Sequence, residues 1–343
     1  MPSSPSSGRV PWHALFIAGL TLGLLWLFLR NIDPRQAWDA LTHAHAGWIA
    51  LAIVVALQTY VLRAWRWQVL LAPIGPARFR TAFRTTVIGF AASFLLPGRV
   101  GEVLKPYLLA RHEGLNVAST IATVIVERLL DLITVLLLFG LAILVAGIDV
   151  GAEVRAAGLV AGAGSLVGFI LLVVLAGHPE RLGRWASYLG RWLPARFSDS
   201  LAHVVRTFAE GFKVMRSPSH LFWGCVWSVP LWLSIALGIW LTSLAFDLTL
   251  SYVASFLVMG YLTVGVSLPT PGGAGGFHYF YKAAMTQLFG APDSVAAAAA
   301  IVLHLVSFVP VTILGLVYMW QDGLTLGGLR RLKQQASTES AGG

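Results

Sequence analysis

The chain has 343 residues, of which 57% are hydrophobic and 11% charged, and its mean hydropathy is +0.75. Soluble domains carry about 25% charged residues, so this composition excludes a cytosolic enzyme and a disordered chain and selects a polytopic membrane protein. The formal charge of +9 reads as a record of the positive-inside rule rather than a nucleic-acid surface, and a single cysteine, Cys225, excludes a disulfide framework or a cysteine zinc site.

In chain order, a Pro/Ser-rich segment over 1–11 reads as disordered. A bilayer core needs about 20 apolar residues per helix. The first such run, Trp12–Leu29, follows a short basic lead without a small-residue cleavage site, so it is expected to remain as a span. Further full spans are expected at 47–71, 118–146, 155–176, 220–246 and 295–320. The apolar stretches 81–96 and 251–268 each run into a Pro/Gly-rich break. Residues 178–219 place Phe197, Leu201, Val204, Val205, Phe208 and Phe212 opposite Arg206, Lys213 and Arg216, which predicts an amphipathic helix on the cytoplasmic interface. The membrane domain therefore covers 12–325, and 326–343 is a cytoplasmic tail.

Loop charges orient these spans. Arg63, Arg66, Arg78, Arg80 and Arg84 follow the second span without an acid among them, and 178–219 and the tail are also basic, so these regions are expected in the cytoplasm. Segment 30–46 is balanced and 147–154 carries only Asp149 and Glu153, as expected outside. Parity then requires 81–115 to enter and leave on one side and 251–290 on the other. The expectation is an all-α polytopic membrane protein with six full spans and two opposed re-entrant hairpins; eight plain spans are the alternative. Both termini fall on the cytoplasmic side of a bacterial inner membrane.

The two breaks share Pro-Gly-x-x-Gly at an offset of 174 residues: Pro97, Gly98 and Gly101 in one, Pro271, Gly272, Gly273, Gly275 and Gly276 in the other. With the opposite orientations they suggest an inverted-topology repeat, about 47–146 against 220–320. Such repeats place a substrate site where broken helices meet, and a helix starting after a break turns its positive end toward an anion.

Charges inside apolar runs mark the candidate site. Glu127, Arg128 and Asp131 lie within 118–146. Intramembrane ionisable groups usually face a pathway, although a structural salt-bridge cluster is the bland alternative. Arg128 can pair with Asp131 locally, which leaves a carboxylate seeking Arg99, Lys105 or Arg66. Interface anchoring also accounts for Arg63 and Arg66. Arg99, Glu102 and Lys105 follow the first break at spacing of three, and Arg99 and Lys105 are the candidates for holding a phosphate. His278, Tyr281 and Lys282 occupy comparable places in the second unit, and His304 lies in the last span. Glycines 158 and 162, and 164 and 168, are expected to mark close helix packing. No phosphate-binding nucleotide loop, metalloprotease motif or nucleophile elbow occurs, and His43 and His45 are too sparse for a metal site. No cofactor, metal or enzymatic step is expected.

The run from Phe94 to Glu102, the run Val126-Glu127-Arg128-Leu129-Leu130-Asp131 and the run from Pro269 to Gly276 resemble the flippase-like membrane region of bacterial lysylphosphatidylglycerol synthases, over about 10–325. That region also occurs alone. The resemblance implies movement of a lipid across the bilayer, either an anionic phospholipid or a polyprenyl-linked substrate. The soluble domain that attaches lysine in those synthases is not found in this sequence, so aminoacyl transfer is not expected. Membrane lipids are the expected partners and nucleic acid is not; a second copy and a separate lipid-modifying enzyme are left open. A membrane-embedded enzyme or accessory subunit and a non-transporting scaffold are the rival readings.

Overall fold

A computed structural model describes residues 12–96, 99–148, 150–176 and 217–325. The expectations for 1–11, Pro97, Gly98, the amphipathic segment and the tail beyond 325 lie wholly or mainly outside these residues. The described chain contains α-helices and one short 3-10 turn, and no strand among the described residues. In order these are α1 (Trp12–Leu29), α2 (Pro34–His43), α3 (Ala46–Leu71), α4 (Phe79–Leu95), α5 (Val100–Glu113), α6 (Val117–Val145) and α7 (Ala152–Ala176). After 216 come α8 (Pro218–Ala245), α9 (Ser255–Ser267), the 3-10 turn Pro271–Gly273, α10 (Gly276–Phe289) and α11 (Asp293–Gln321).

Four helices, α3, α6, α8 and α11, are long and apolar enough to cross a membrane, and α1 with α2 forms a pair bent by 80°. The helix α2 was not foreseen within the balanced segment 30–46. Its start is legible in hindsight: Pro34 stands at the first helical position and the Asp33 carboxylate accepts from the Arg35 N–H at 2.8 Å. The Asn116 side chain caps α6 in the same way, accepting from Ser119 N–H at 2.9 Å.

The two interrupted stretches fold as helical hairpins, α4 with α5 and α9 with α10. Each crosses at a pair of glycines. A Cβ on Gly101 would lie 1.6 Å from the Gly89 carbonyl oxygen, and one on Gly276 would lie 2.5 Å from that of Gly265. The glycine that makes the second crossing is Gly276, one residue beyond the Gly275 that the sequence motif aligns with Gly101. Gly275 instead serves the turn, at φ 80°, as do Gly272 at 59° and Gly273 at 71°.

The helices α3 and α8 pack along their whole length. The Thr59 and Ser234 hydroxyls hydrogen-bond each other at 2.8 Å, Arg66 reaches back to Ser228, and His45 N–H donates to the Ala245 carbonyl. As α3 advances α8 retreats, so the two are antiparallel. The hairpin α4–α5 packs on α3, α6 and α11, and the hairpin α9–α10 on α6, α8 and α11. Gly140 and Gly162 bring α6 and α7 together, with a Cβ on either 3.5 Å from the other's Cα, and Gly158 lies against Phe139 and Ile143. Gly164 and Gly168, expected to do the same, face nothing within 4 Å among the described residues.

Ion pairs and a hydrogen bond tie the two ends of the bundle. At one end Arg78 bridges to Glu113 at 3.1 Å, closing the α4–α5 hairpin, and Arg84 bridges to Asp322 at 2.7 Å. At the other, Asp33 N–H donates to Ser294 and Lys282 reaches Asp293 at 3.2 Å.

Candidate functional site

The buried charges gather between α3, α5, α6 and α8. Glu127 is the eleventh residue of α6 and Asp131 the fifteenth, so at 1.5 Å per residue they lie about 15 and 21 Å into the helix. Their spacing of four puts both carboxylates on one face. Arg66, entering from α3, is fully buried and forks between them: Nη1 donates to Asp131 Oδ1 at 2.5 Å and to Ser228 Oγ at 3.0 Å, and Nη2 donates to Glu127 Oε1 at 3.3 Å. Lys105, entering from α5, donates to Glu127 Oε2 at 2.6 Å and lies 3.9 Å above the Trp67 ring.

Neutral groups fix this arrangement from behind. Trp67 Nε1 donates to Thr123 Oγ1 at 2.8 Å, and Trp232 Nε1 donates to Asp131 Oδ1 at 2.9 Å. Two further cations approach Asp131 Oδ2, Arg128 at 3.5 Å and Arg63 at 3.9 Å. Arg63 stacks its guanidinium over Phe90, and the Arg128 side chain is 43% exposed, so it forms the rim of an otherwise closed cluster. Four cations thus surround two carboxylates, a formal excess of positive charge. The network is not fully satisfied either: Arg66 Nε and Asp131 Oδ2 are buried without a hydrogen-bond partner.

Arg66, Lys105, Glu127, Arg128 and Asp131 are therefore brought together. Interface anchoring, the alternative for Arg66, does not describe a side chain with no exposed surface. Arg63, Trp67, Ser228 and Trp232 were not foreseen as members. The signal for Arg63 was present: two arginines three apart on an apolar helix match carboxylates four apart on another.

Arg99 and Glu102 lie elsewhere. Arg99 adopts a left-handed backbone, φ 49°, and donates Nη2 to the carbonyls of Val266 at 2.7 Å and Ser267 at 3.2 Å. It therefore caps the end of α9 and ties one hairpin tip to the other. Its partner Glu102 is 3.7 Å away and both side chains are exposed. The opposite break is aromatic. The rings of His278 and His304 lie 4.5 Å apart, tilted by 37°, among Phe28, Phe94, Phe277 and Phe308, and His304 Nε2 donates to the Gly272 carbonyl at 2.9 Å. Tyr281 is buried in the core with its hydroxyl 3.4 Å from Ser243. Pro271, Gly272, Gly273 and Gly275 form the turn between α9 and α10. No group of three or more metal-ligating side chains occurs among the described residues.

A helical bundle whose apolar spans enclose a buried cluster of charges, beside two glycine-crossed hairpins, defines a multi-pass membrane protein. The chain belongs to the family of the lysylphosphatidylglycerol synthase TM region, which it matches over residues 12–315. It is 24% identical to the glycosyltransferase AglD of Haloferax volcanii across 90% of its own length but 54% of that protein, about half of which it spans. Two UPF0104 membrane proteins of Methanothermobacter thermautotrophicus are 25% and 27% identical; the alignments cover 83% and 91% of this chain and 88% and 93% of theirs.

Proposed function

We propose that the protein is a lipid flippase, which carries the anionic headgroup of a membrane lipid past the Arg66–Lys105 cluster while the acyl chains stay in the bilayer. The observation that carries this reading is the excess of cations over carboxylates at a buried site. Burying charge costs several kcal/mol per ion even after pairing, and a structural ion pair needs only one cation per carboxylate. The surplus suits a phosphate, which would compete with Glu127 and Asp131 for the same guanidinium and ammonium groups. The closed cluster is then the resting form, in which the carboxylates hold the places of the substrate anion. The reading assigns the chain no enzymatic step.

The antiparallel α3–α8 pair supports an inverted repeat. Thr59 and Ser234 are 175 residues apart and touch, as equivalent positions do beside a two-fold axis lying in the membrane plane. Gly89 and Gly265 are 176 apart, Gly101 and Gly276 175. The hairpin arms are short: α5 and α10 each have 14 residues, about 21 Å at 1.5 Å per residue, less than a hydrocarbon core of about 30 Å. The Arg78–Glu113 bridge sets the two feet of one hairpin side by side, which supports re-entry from the end rich in Arg78, Arg80 and Arg84. That end is assigned to the cytoplasm, with the chain termini on the same side.

The glycosyltransferase name of one relative favours a lipid-linked sugar as substrate beside an anionic phospholipid. The test is reconstitution in liposomes with labelled phosphatidylglycerol, phosphatidylcholine and a polyprenyl phosphate sugar. The wild type is expected to move an anionic lipid, and a Lys105→Met/Glu127→Met variant, which removes one charge of each sign, to move it at least about tenfold more slowly, as loss of an interaction worth more than about 1.4 kcal/mol requires. Wild-type protein that moves no lipid, or a variant as fast as wild type, overturns the reading.

A further inference from the structure

We infer that the pair His278–His304, where the two hairpin tips meet, is a proton site that couples lipid movement to a pH difference, one proton travelling with each lipid anion. The coupling rests on the flippase reading; proton binding by the pair does not. His278 is the third residue of α10 and His304 the twelfth of α11. At 1.5 Å per residue His304 lies about 17 Å into its helix, well inside a hydrocarbon core of about 30 Å. Ionisable groups held at such depth usually serve a pathway. The two hairpins repeat one arrangement, in which the returning arm presents an ionisable side chain to the span that follows it. In the first the partners are Lys105 and Glu127, a fixed ion pair at 2.6 Å. In the second they are His278 and His304, which can stay neutral or take a proton.

The chemistry of the pair suits one proton. His304 Nε2 donates to the Gly272 carbonyl, which fixes a hydrogen on that nitrogen and leaves Nδ1 of the neutral ring with a lone pair. The buried Nδ1 of His278 has no hydrogen-bond partner among the described residues. Phe28, Phe94, Phe277 and Phe308 surround the two imidazoles, with centroids 4.7 to 5.7 Å from one or the other. Aromatic faces attract a cation within about 6 Å of the centroid, so this cage favours a charged ring more than plain hydrocarbon would. Two imidazoliums with centroids 4.5 Å apart would repel each other, so the pair holds a single proton. The charged groups on the packed elements are engaged elsewhere. Lys282 is held by the Phe28 and Arg30 carbonyls and by Asp293, and Arg30 lies over the Trp26 ring. Arg84 and Asp322 pair at the far end of α4 and α11, and Arg99 holds the α9 carbonyls beside Glu102. His220 of α8 meets Ser217, and Arg35, Asp39 and His43 of α2 are exposed. Tyr60, Tyr261, Tyr279, Tyr281 and Tyr318 are phenols, neutral where histidine titrates.

The place of the pair ties its proton to the headgroup path. Gly272, which His304 holds, lies in the tip of the second hairpin, and a Cβ on it would lie 3.0 Å from the Phe94 ring near the tip of the first. Phe94 meets the His304 ring, and Phe90, one turn earlier on α4, lies under the Arg63 guanidinium of the buried cluster. The helix α4 thus runs from the cluster to the histidines. A phosphodiester drawn past the cluster carries a negative charge into a medium where charge is costly, and a proton on the histidines cancels it. The proton comes from water at one face, forms an N–H bond on an imidazole lone pair, and returns to water at the other face, so charge and atoms balance over the cycle.

The test spreads labelled phosphatidylglycerol evenly over both leaflets of liposomes that hold the purified full chain. With one proton per lipid anion, a pH difference of about one unit is expected to gather the label about tenfold in the leaflet facing the alkaline side, because a tenfold proton ratio sets a tenfold lipid ratio. Collapsing the difference with nigericin is expected to even the label out. In His278→Gln/His304→Gln, whose amides can still donate to the Gly272 carbonyl but take no proton, the label is expected to stay even under the same gradient. Separately, NMR of the full chain labelled with 15N-histidine counts protons without transport: the two side chains are expected to share one transition, and His304→Gln to leave that transition on His278 alone. The nigericin arm and the NMR of the wild type use unaltered protein, so they hold even if a variant is less stable. A wild type that moves lipid but leaves it even, or a double variant that still concentrates it, overturns the coupling. Histidines that both stay neutral, or that each take a proton independently, overturn the proton site. Wild-type protein that moves no lipid at all sinks the flippase reading and the coupling with it, while the NMR still decides whether the pair binds a proton.

Discussion

Glu127 accepts from both Lys105 and Arg66, and this double use makes the buried cluster separable by mutation. Removing Lys105 alone leaves buried Glu127 with only the 3.3 Å contact from Arg66, which it shares with Asp131. Breaking one partner of a buried pair typically costs about 3–5 kcal/mol, whereas replacing both with apolar groups of similar volume is often neutral. Lys105→Met is therefore expected to lower unfolding free energy by about that amount, and Lys105→Met/Glu127→Met to recover most of it, because Arg66 keeps Asp131. A double-mutant cycle in mild detergent, read by denaturant or thermal unfolding, measures the coupling. Equal destabilisation by the single and double variants would show that the pair does not act as a unit. If stability recovers while lipid movement does not, the cluster is kept for function rather than for folding.

The hairpins show how much of the fold was legible at the level of elements. Runs of apolar residues located α3, α6, α8 and α11 to within a few residues, because burial in lipid demands both length and apolar composition. The Pro-Gly-x-x-Gly motifs located both turns, because few residues allow the positive φ seen at Gly272, Gly273 and Gly275. Legibility failed where a residue's partner sits on a distant element. Arg99 looked like a phosphate ligand by spacing, yet it caps α9 from 167 residues away. Lys105, only three residues from Glu102 in its own helix, finds Glu127 on the next one instead. Gly89 and Gly265 carry no local signature, since only the crossing helix makes them necessary. The crossing is also the point to test. Gly101→Ala and Gly276→Ala each drive a methyl group into a backbone carbonyl, and overpacking of this kind costs about 1–3 kcal/mol or more. Gly164→Ala, with nothing within 4 Å of its Cβ position among the described residues, is expected to stay within about 1 kcal/mol of the wild type. Thermal unfolding of the three variants side by side checks the contrast, and a Gly101→Ala protein as stable as Gly164→Ala would refute the close crossing.

At the scale of the whole molecule, the proposed two-fold axis makes a mechanical prediction. If two related halves rock against each other, motion is least at the axis and greatest at the hairpin tips. Thr59 and Ser234 meet where the axis passes, at 2.8 Å, whereas Arg99 spans from one tip to the carbonyls of Val266 and Ser267 on the other. A Thr59→Cys/Ser234→Cys pair in a Cys225→Ser background is expected to form a disulfide under mild oxidation and to move lipid at the rate of its reduced form. An Arg99→Cys/Ser267→Cys pair joined by a short bismaleimide is expected to stop movement, relative to the same variant left unjoined. The comparison holds composition constant within each variant, so lost side-chain contacts do not enter it. Movement abolished by the disulfide would place the moving contact at α3 and α8 and reject the axis as a pivot. Movement unaffected by the tip cross-link would mean that the two hairpins travel together, and the path for the headgroup would then have to open between α6 and α8, where Trp232 holds Asp131.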